Sequence, residues 1–491
     1  MQILKQLLEN FNLINIFGND DIRISSIEYN SKNVSQNTLF VAIKGENFDG
    51  HQFIPEAIDR GANAIVCEFL PDDLNNNITY IQVPNSRIAL AELANAFYDF
   101  PSNKLKIIGI TGTNGKTTIT FLLNHIFQYF NKKTAIIGTT GIFIDNKKIP
   151  ASHTTPESLE LFRYLNQCVE QNIEYVSMEV SSHALVQHRV HCINFTAAAF
   201  TNLTLDHLDY HKTIQNYAKA KKMLFDNLQP DAIAVINNDD PFADYIIMDC
   251  KAKHIYRVGR QSDADYTIKN EKLSLKGVEC DIVKNNITYK IQAPLLGKFN
   301  IDNLAQAFVI ASELGFEPNE ICKSLESATG ARGRMEKYDL PNGALAIIDY
   351  AHTPDALEKA LQSLKQIHNA NSVDGKIICV FGCGGNRDKS KRPKMGKIAC
   401  DFSDFVIITN DNPRNEDPQA IFNDILEGIN IEMQNKVSII PDRAEAIHSA
   451  IELSKENDII FIAGKGHEEY QIIAGERRAF SDRQIVLDYC K

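Results

Sequence analysis

The stretch "LKIIGITGTNGKTTITFLLNHIFQYFNKKTAIIG", residues 105–138, constrains the fold more than any other. An apolar run enters a glycine turn, a helical pattern follows, and a second apolar run closes the unit. This is a β-α-β arrangement, which points to a parallel sheet. The turn lies after a strand and opens a helix, the context a phosphate loop needs. Gly112 and Gly115 let backbone N–H groups approach an anion, Lys116 can reach terminal phosphate oxygens, and Thr117 can ligate Mg²⁺. The longer form of the loop would carry glycine where Ile110 stands, so this is the shorter pattern G-T-N-G-K-T. Binding of a nucleoside triphosphate is the strong expectation.

A chain of 491 residues holds more than one core, and its patterning falls into three blocks. Residues 1–100 give short strand-like runs and one helix, "RIALAELANAFYDF", ended by the break "FPSNK". Residues 101–330 continue the strand-helix alternation. Within them, 260–295 read as an antiparallel patch, before the helix "NIDNLAQAFVIASELG" closes the block at Gly315. Residues 331–491 start a second parallel α/β domain, through "LAIIDY", "KIICVFG", "DFVIIT" and "DIIFIAG". The fold class is α/β.

The formal net charge of -11 argues against a protein that coats nucleic acid or lies on a membrane. An anionic ligand must then be held by a local cluster of cations and backbone N–H groups. The opening "MQILKQLLENFNLI" is amphipathic and interrupted by Lys5 and Glu9, unlike a secretory or membrane segment. The ten cysteines lie in apolar surroundings without zinc-like or disulfide spacing, and are read as reduced thiols of a cytoplasmic protein.

Further candidate residues fall at the ends of strand-like runs, the edge where α/β proteins bind ligands. "MEVSSH" offers Glu179, Ser181 and His183, and "TNLTLDHLDYH" offers Asp206, His207, Asp209 and His211. Glu179 with Thr117 would suit a hard Mg²⁺ beside a triphosphate, and His207 could ligate a second ion. "FGCGGNRD" resembles a dinucleotide turn, but Arg387 at the third small position favours a loop that shows this arginine to a ligand. In "ITNDNPRNEDP", Pro413 stiffens the turn and Arg414 is presented for bidentate capture of a carboxylate or phosphate. The lysines of "YAKAKKMLF" read, on periodicity alone, as a solvated face.

These motifs, with "LFVAIKGENFDG", "HTTPE", "LLGKFNIDNLAQA", "GRME", "DYAHTPDAL" and "AGKGHEEYQ", run the length of the chain in an order that resembles the Mur ligases. Those are ATP-dependent amide-forming enzymes of peptidoglycan precursor synthesis, and the likeness is to the branch that adds the third residue of the stem peptide. The resemblance implies a UDP-binding N-terminal domain, a central ATPase and a Rossmann-like C-terminal domain. It implies ATP on Gly112, Thr113, Asn114, Gly115, Lys116, Thr117 and Thr118, with Asn303, Arg334 and Asp349 approaching from the domain interface. The UDP-linked substrate would meet Tyr29, Ser31, Glu46, Asn47 and Phe48 at its uridine end. Its muramyl-dipeptide part would meet His153, Thr154, Thr155, Ser181, Gln187 and Arg189. His153 departs from the asparagine common there. Lys221 matches a lysine that is carbamylated to N6-carboxylysine and, with Thr117, Glu179 and His207, holds two Mg²⁺. Neighbouring Lys222 leaves that assignment ambiguous.

Arg387, Asp411, Asn412, Pro413, Arg414, Gly464 and Glu468 would bind the incoming amino acid, with Arg414 selecting the distal carboxylate of meso-diaminopimelate over lysine. The implied reaction converts the D-glutamyl γ-carboxylate of UDP-N-acetylmuramoyl-L-alanyl-D-glutamate to an acyl phosphate, which the diaminopimelate amine attacks. The protein is expected to act as a monomer on small molecules only. The alternatives are a lysine-adding relative, a folylpolyglutamate synthase, and a nucleotide-dependent switch or scaffold.

Overall fold

Apolar runs of four to six residues become the central strands of three sheets, and most of their side chains are fully buried. The computed structural model describes residues 1–9, 11–45, 48–151, 153–370 and 375–490. No helix among the described residues is long and apolar enough to cross a membrane.

The N-terminal sheet runs in the order Asn15–Phe17, Thr79–Gln82, Ala62–Cys67, Thr38–Val41, Ser26–Glu28, and only its Asn15–Phe17 edge is antiparallel. The expected helix runs Ser86–Phe97, capped by the Asn85 side chain, which accepts from the backbone N–H of Arg87 and Ile88. It stops before the break the sequence suggested. Asp99 and Phe100 take φ of 55° and 51°, turning the chain ahead of Pro101. The buried face of this helix joins one apolar cluster with Phe162 and Leu165 of helix Ser158–Glu170, so the first two domains share a core.

The central sheet has eleven strands. Seven are parallel, in the spatial order Thr134–Gly138, Tyr175–Glu179, Lys106–Thr111, Phe195–Phe200, Ile233–Asn237, His254–Gly259, Tyr266–Ser274. The patch at 260–295 extends this same sheet: Tyr266–Ser274, Gly277–Lys284 and Ile287–Ala293 form an antiparallel wing. Helix Lys116–Tyr129 buries Ile119, Leu122, Leu123, Ile126 and Phe127, the spacing of a single helical face. Each such side chain contributes about 1.5–3 kcal/mol of burial. That packing against Leu304 and Phe308 holds the phosphate loop in place.

The C-terminal sheet runs Glu336–Asp339, Leu345–Asp349, Ile459–Ala463, Ile377–Phe381, Phe405–Ile408, Val437–Ile439, parallel except for its first edge. Its strand ends deliver "DYAH", "AGKG", "FGCGG" and "TNDNPR" to one rim.

Candidate functional site

Strand Lys106–Thr111 lies inside the central sheet, between Tyr175–Glu179 and Phe195–Phe200, so three carboxyl ends meet there. Gly112 and Gly115 have φ of 146° and 89°, and added Cβ atoms would lie 1.8 Å from Thr201 Oγ1 and 2.4 Å from Asn303 Oδ1. The loop therefore requires glycine at both places. The Lys116 ammonium donates to the carbonyls of Gly112 and Thr113, at 2.8 Å each. Its depth in the cleft pushes its pKa below the usual lysine range, against the pull of Glu179 and Asp206. An arriving polyanion would reverse that effect.

Glu179, nearly fully buried, accepts from Thr139 N at 2.9 Å and Thr139 Oγ1 at 3.1 Å. A cavity of about 430 Å³ opens beside it. The central domain lines it with the phosphate loop, Thr154, Ser181, His207 and Asn303; the C-terminal domain adds Arg334, Asp349 and His352. Carboxylate and hydroxyl oxygens thus face one space, a set that fits a hard divalent cation, with the His207 imidazole beside them.

Lys221 lies behind the loop, almost wholly buried. Its Nζ donates to Gly112 O at 2.8 Å and stands 4.3 Å from the Tyr217 ring centroid. Burial and the nearby Lys116 push its pKa well below the ordinary lysine value. Lys222 is different. It pairs with Asp226 at 2.5 Å and Asp249 at 2.6 Å, and those partners raise its pKa despite partial burial. The solvated-face reading holds for neither lysine.

Asp349 is a clamp for its own loop. Its carboxylate accepts from Met335 N at 2.7 Å and Ala351 N at 2.8 Å, and burial raises its pKa against the effect of Arg334. Arg334 stacks 4.7 Å from the Tyr350 ring centroid.

The residues read as dipeptide contacts form one hydrogen-bonded group. Thr155 Oγ1 donates to Glu179 O at 2.8 Å and accepts from Ser181 N at 3.0 Å. Arg189 donates to Thr155 O at 2.9 Å and to Gln187 Oε1, and pairs with Glu157 at 2.9 Å. His153 is exposed next to this group. Of the N-terminal residues, Tyr29 adjoins this group and donates to Glu160 at 3.0 Å, Ser31 donates to Glu56 at 2.8 Å, and Phe48 is 74% exposed. Glu46 and Asn47 lie outside the described residues.

On the C-terminal rim, Arg414 takes a left-handed φ of 55°. Its backbone is held on both sides by the hairpin Tyr470–Ile473 and Glu476–Ala479: Arg414 N donates to Ile472 O at 3.0 Å, and Ala474 N to Arg414 O at 2.7 Å. The stiff mount is therefore this hairpin as much as Pro413. The guanidinium donates to Gly385 O at 2.8 Å. A Cβ on Gly384 would lie 3.0 Å from Arg414 Nη1 and 3.8 Å from Arg387 Cγ, so the two arginines flank this glycine. Arg387 is exposed, as its loop position suggested.

Asp411, Asn412 and Glu468 converge on a residue the sequence reading passed over. Lys465 is fully buried, and its ammonium donates to Asp411 Oδ1 at 3.4 Å, Asn412 Oδ1 at 3.1 Å and Glu468 Oε2 at 3.0 Å. Gly464, with φ of 115°, brings the backbone close to Asp411. The available signal was position, because Lys465 follows the apolar run "DIIFIAG" at a strand's carboxyl end. Asp355 was also missed. It accepts from Asn114 and Thr204 of the central domain at 3.2 Å each, a direct link from the C-terminal domain to the phosphate loop.

Three family descriptions match this chain in order: "Mur ligase family, catalytic domain" over residues 23–98, "Mur ligase middle domain" over 110–311, and "Mur ligase, glutamate ligase domain" over 333–466. The chain is 42% identical over 485 residues to the UDP-N-acetylmuramoyl-L-alanyl-D-glutamate–2,6-diaminopimelate ligase of Bacteroides fragilis, covering 99% of this chain and 98% of that one. A solved structure of a ligase of that name superposes with a TM-score of 0.69 at 34% identity, over 95% of this chain and 94% of the other. Folylpolyglutamate synthase of Mycobacterium tuberculosis shares the fold, with a TM-score of 0.62 at 18% identity over 77% of this chain.

Proposed function

This chain belongs to the Mur ligase family, and from that premise we infer that it is an ATP-dependent ligase of peptidoglycan precursor synthesis. It adds meso-diaminopimelate to the D-glutamyl γ-carboxylate of UDP-N-acetylmuramoyl-L-alanyl-D-glutamate. The observation that carries the choice of amino acid is that Arg414 and Arg387 flank Gly384, on the rim that also carries Lys465 and its carboxylate partners. A distal carboxylate finds Arg414 and Arg387. A lysine side chain would bring a cation there with no anion between.

ATP lies on the phosphate loop, where N–H groups and Lys116 address its phosphates. The substrate γ-carboxylate attacks the γ-phosphoryl group, ADP leaves, and an acyl phosphate forms. The diaminopimelate amine then adds to the acyl carbon, loses a proton, and inorganic phosphate departs with its bonding electrons. Lys116 supports the charge that accumulates on the phosphoryl oxygens, while Arg334 and His352 close the cleft from the other domain. Chemistry of this kind is mostly positioning, and Asp355 ties the two halves of the site together.

Two Mg²⁺ would be held by Thr117, Glu179, His207 and Lys221 as a carbamate, and would supply neutralisation of phosphate charge. The assignment to Lys221 rests on its chemistry. A carbamate forms when a neutral amine adds to carbon dioxide and gives up a proton. Lys221 is buried with its pKa driven down, whereas Lys222 keeps its proton between two carboxylates.

We assign residues 1–100 to the uridine end of the substrate, 101–330 to ATP and 331–491 to the amino acid. Work in the cytoplasm as a monomer is part of the same reading, and the ten free thiols suit a reducing compartment.

The test is phosphate release with ATP, Mg²⁺ and the UDP-linked dipeptide, with diaminopimelate and L-lysine supplied in parallel. Turnover with diaminopimelate alone is expected. Turnover with lysine would overturn the reading of Arg414, and inactivity with both would overturn the ligase assignment for this substrate.

A further inference from the structure

We propose that Glu416, gripped by the buried Arg392, is a positioning residue that sets the spacing of Arg387 and Arg414 and so determines selectivity for an amino acid with a distal carboxylate. This deepens the function proposed above and rests on it.

The two arginines sit on different loops, 27 positions apart in the chain, and neither loop is regular. Arg414 and Asn386, the neighbour of Arg387, both take left-handed backbone, with φ of 55° and 52°. Such conformations persist only where surrounding contacts hold them. The hairpin holds Arg414, and Glu416 supplies the contacts on the Asn386 side. One of its oxygens accepts from Arg392 Nη1 at 2.8 Å and from Lys389 at 2.9 Å. The other accepts from Arg392 Nη2 and from the Asn386 backbone N–H, at 2.8 Å each. Arg392, none of it exposed, also donates to Gly384 O at 3.2 Å. One carboxylate, two residues beyond Arg414, thus grips the backbone beside Arg387.

Further bonds close the seam. Gly385 N donates to Asn412 O at 2.9 Å, and Asn415 N to Asn386 Oδ1 at 3.2 Å. The approach is so close that a Cβ on Gly385 would lie 1.9 Å from Pro413 O. That apposition accounts for the paired glycines of "FGCGGNRD" without any dinucleotide.

The arrangement also separates positioning from bulk stability. Arg392 makes a second ion pair, with Asp424 at 2.7 Å, which belongs to helix Pro418–Leu426 and to neither arginine loop. Loss of either carboxylate unsettles the same guanidinium, but only Glu416 also holds the Asn386 backbone N–H beside Arg387.

The experiment compares Glu416→Gln with Asp424→Asn by steady-state kinetics and melting temperature. Glu416→Gln is expected to raise the KM for diaminopimelate about tenfold or more, as when a charge-assisted contact is lost. The KM for ATP should stay within about twofold, and the preference for diaminopimelate over lysine in kcat/KM should fall by a similar factor to the KM rise. Asp424→Asn should lower the melting temperature comparably and leave the selectivity ratio unchanged. Should Glu416→Gln fail to fold, Glu416→Asp, which keeps the charge and withdraws it by one methylene, should give the same pattern with a smaller KM change. Equal kinetic effects of the two positions, or an unchanged selectivity ratio in the folded Glu416 variant, would overturn the proposal. Failure of the wild-type protein to use diaminopimelate would instead strike the function on which it rests.

Discussion

The phosphate-loop cleft and the proposed amino-acid pocket handle charge in opposite ways. In the cleft, Lys116 and Lys221 rest on backbone carbonyls, and burial drives both pKa values down. In the pocket, Lys465 and Arg392 are fully buried, but each is surrounded by carboxylates. A buried lysine without an anionic partner can respond: Lys116 by meeting a triphosphate, Lys221 by giving up its proton and becoming a carbamate. A cation already paired serves as a fixed mount. The cleft is thus built to respond to its ligand and the pocket to be rigid before its ligand arrives.

The largest test of this contrast is Lys221→Ala, which should abolish turnover and leave nucleotide binding measurable. Short carboxylates such as acetate should restore part of the rate, because they replace the missing anionic oxygens. A near-normal rate in the variant would remove the responsive half of the comparison. Next in size is Arg414→Ala. Its KM for diaminopimelate should rise on the order of 100-fold with little change for ATP, the scale of losing one partner of a buried charge pair. Equal effects on both substrates would mean that the pocket and the cleft are not separable.

The smallest effect is on stability, and each region contributes one histidine to it. Burial lowers the pKa of His211, behind the cleft, and of His467, on the pocket's loop, from 6.5 to about 4. Both are neutral when folded, while the unfolded chain takes up protons below its ordinary histidine pKa. Stability is therefore fully present above about pH 6.5 and is lost as pH falls toward 4, by at most about 1.4 kcal/mol per pH unit for each histidine. Urea denaturation at pH 7.5 and 5 would measure the loss, and His211→Gln or His467→Gln should each flatten it. If one substitution removes the whole slope, acid sensitivity belongs to one region alone.

Much of this was legible beforehand. The phosphate loop, the strand-end clusters and the arginine loop are local patterns, and strand periodicity places them at a sheet's carboxyl edge. Other features were beyond local patterning. Lys221 and Lys222 are adjacent on one helix; Asp226, four residues on, is a local partner for Lys222, but the approach of Asp249 to one and of Gly112 to the other comes from distant segments. Lys465 stood in a motif that had been read, yet its partners lie 53 and 54 positions earlier. Glu416 belonged to the same run as Arg414 and carried no signal of its own.

The sequence by itself determined the three-domain α/β class, the register of the phosphate loop and the residue types offered at each strand end. Backbone geometry and hydrophobic period act over a few residues, so they can be read along the chain. Tertiary structure decided which charges are neutralised, which lysine is driven toward its neutral form, and how far apart two arginines stand. Those outcomes depend on distance and burial between segments far apart in the chain, and Coulomb and desolvation energies are set only when the segments meet.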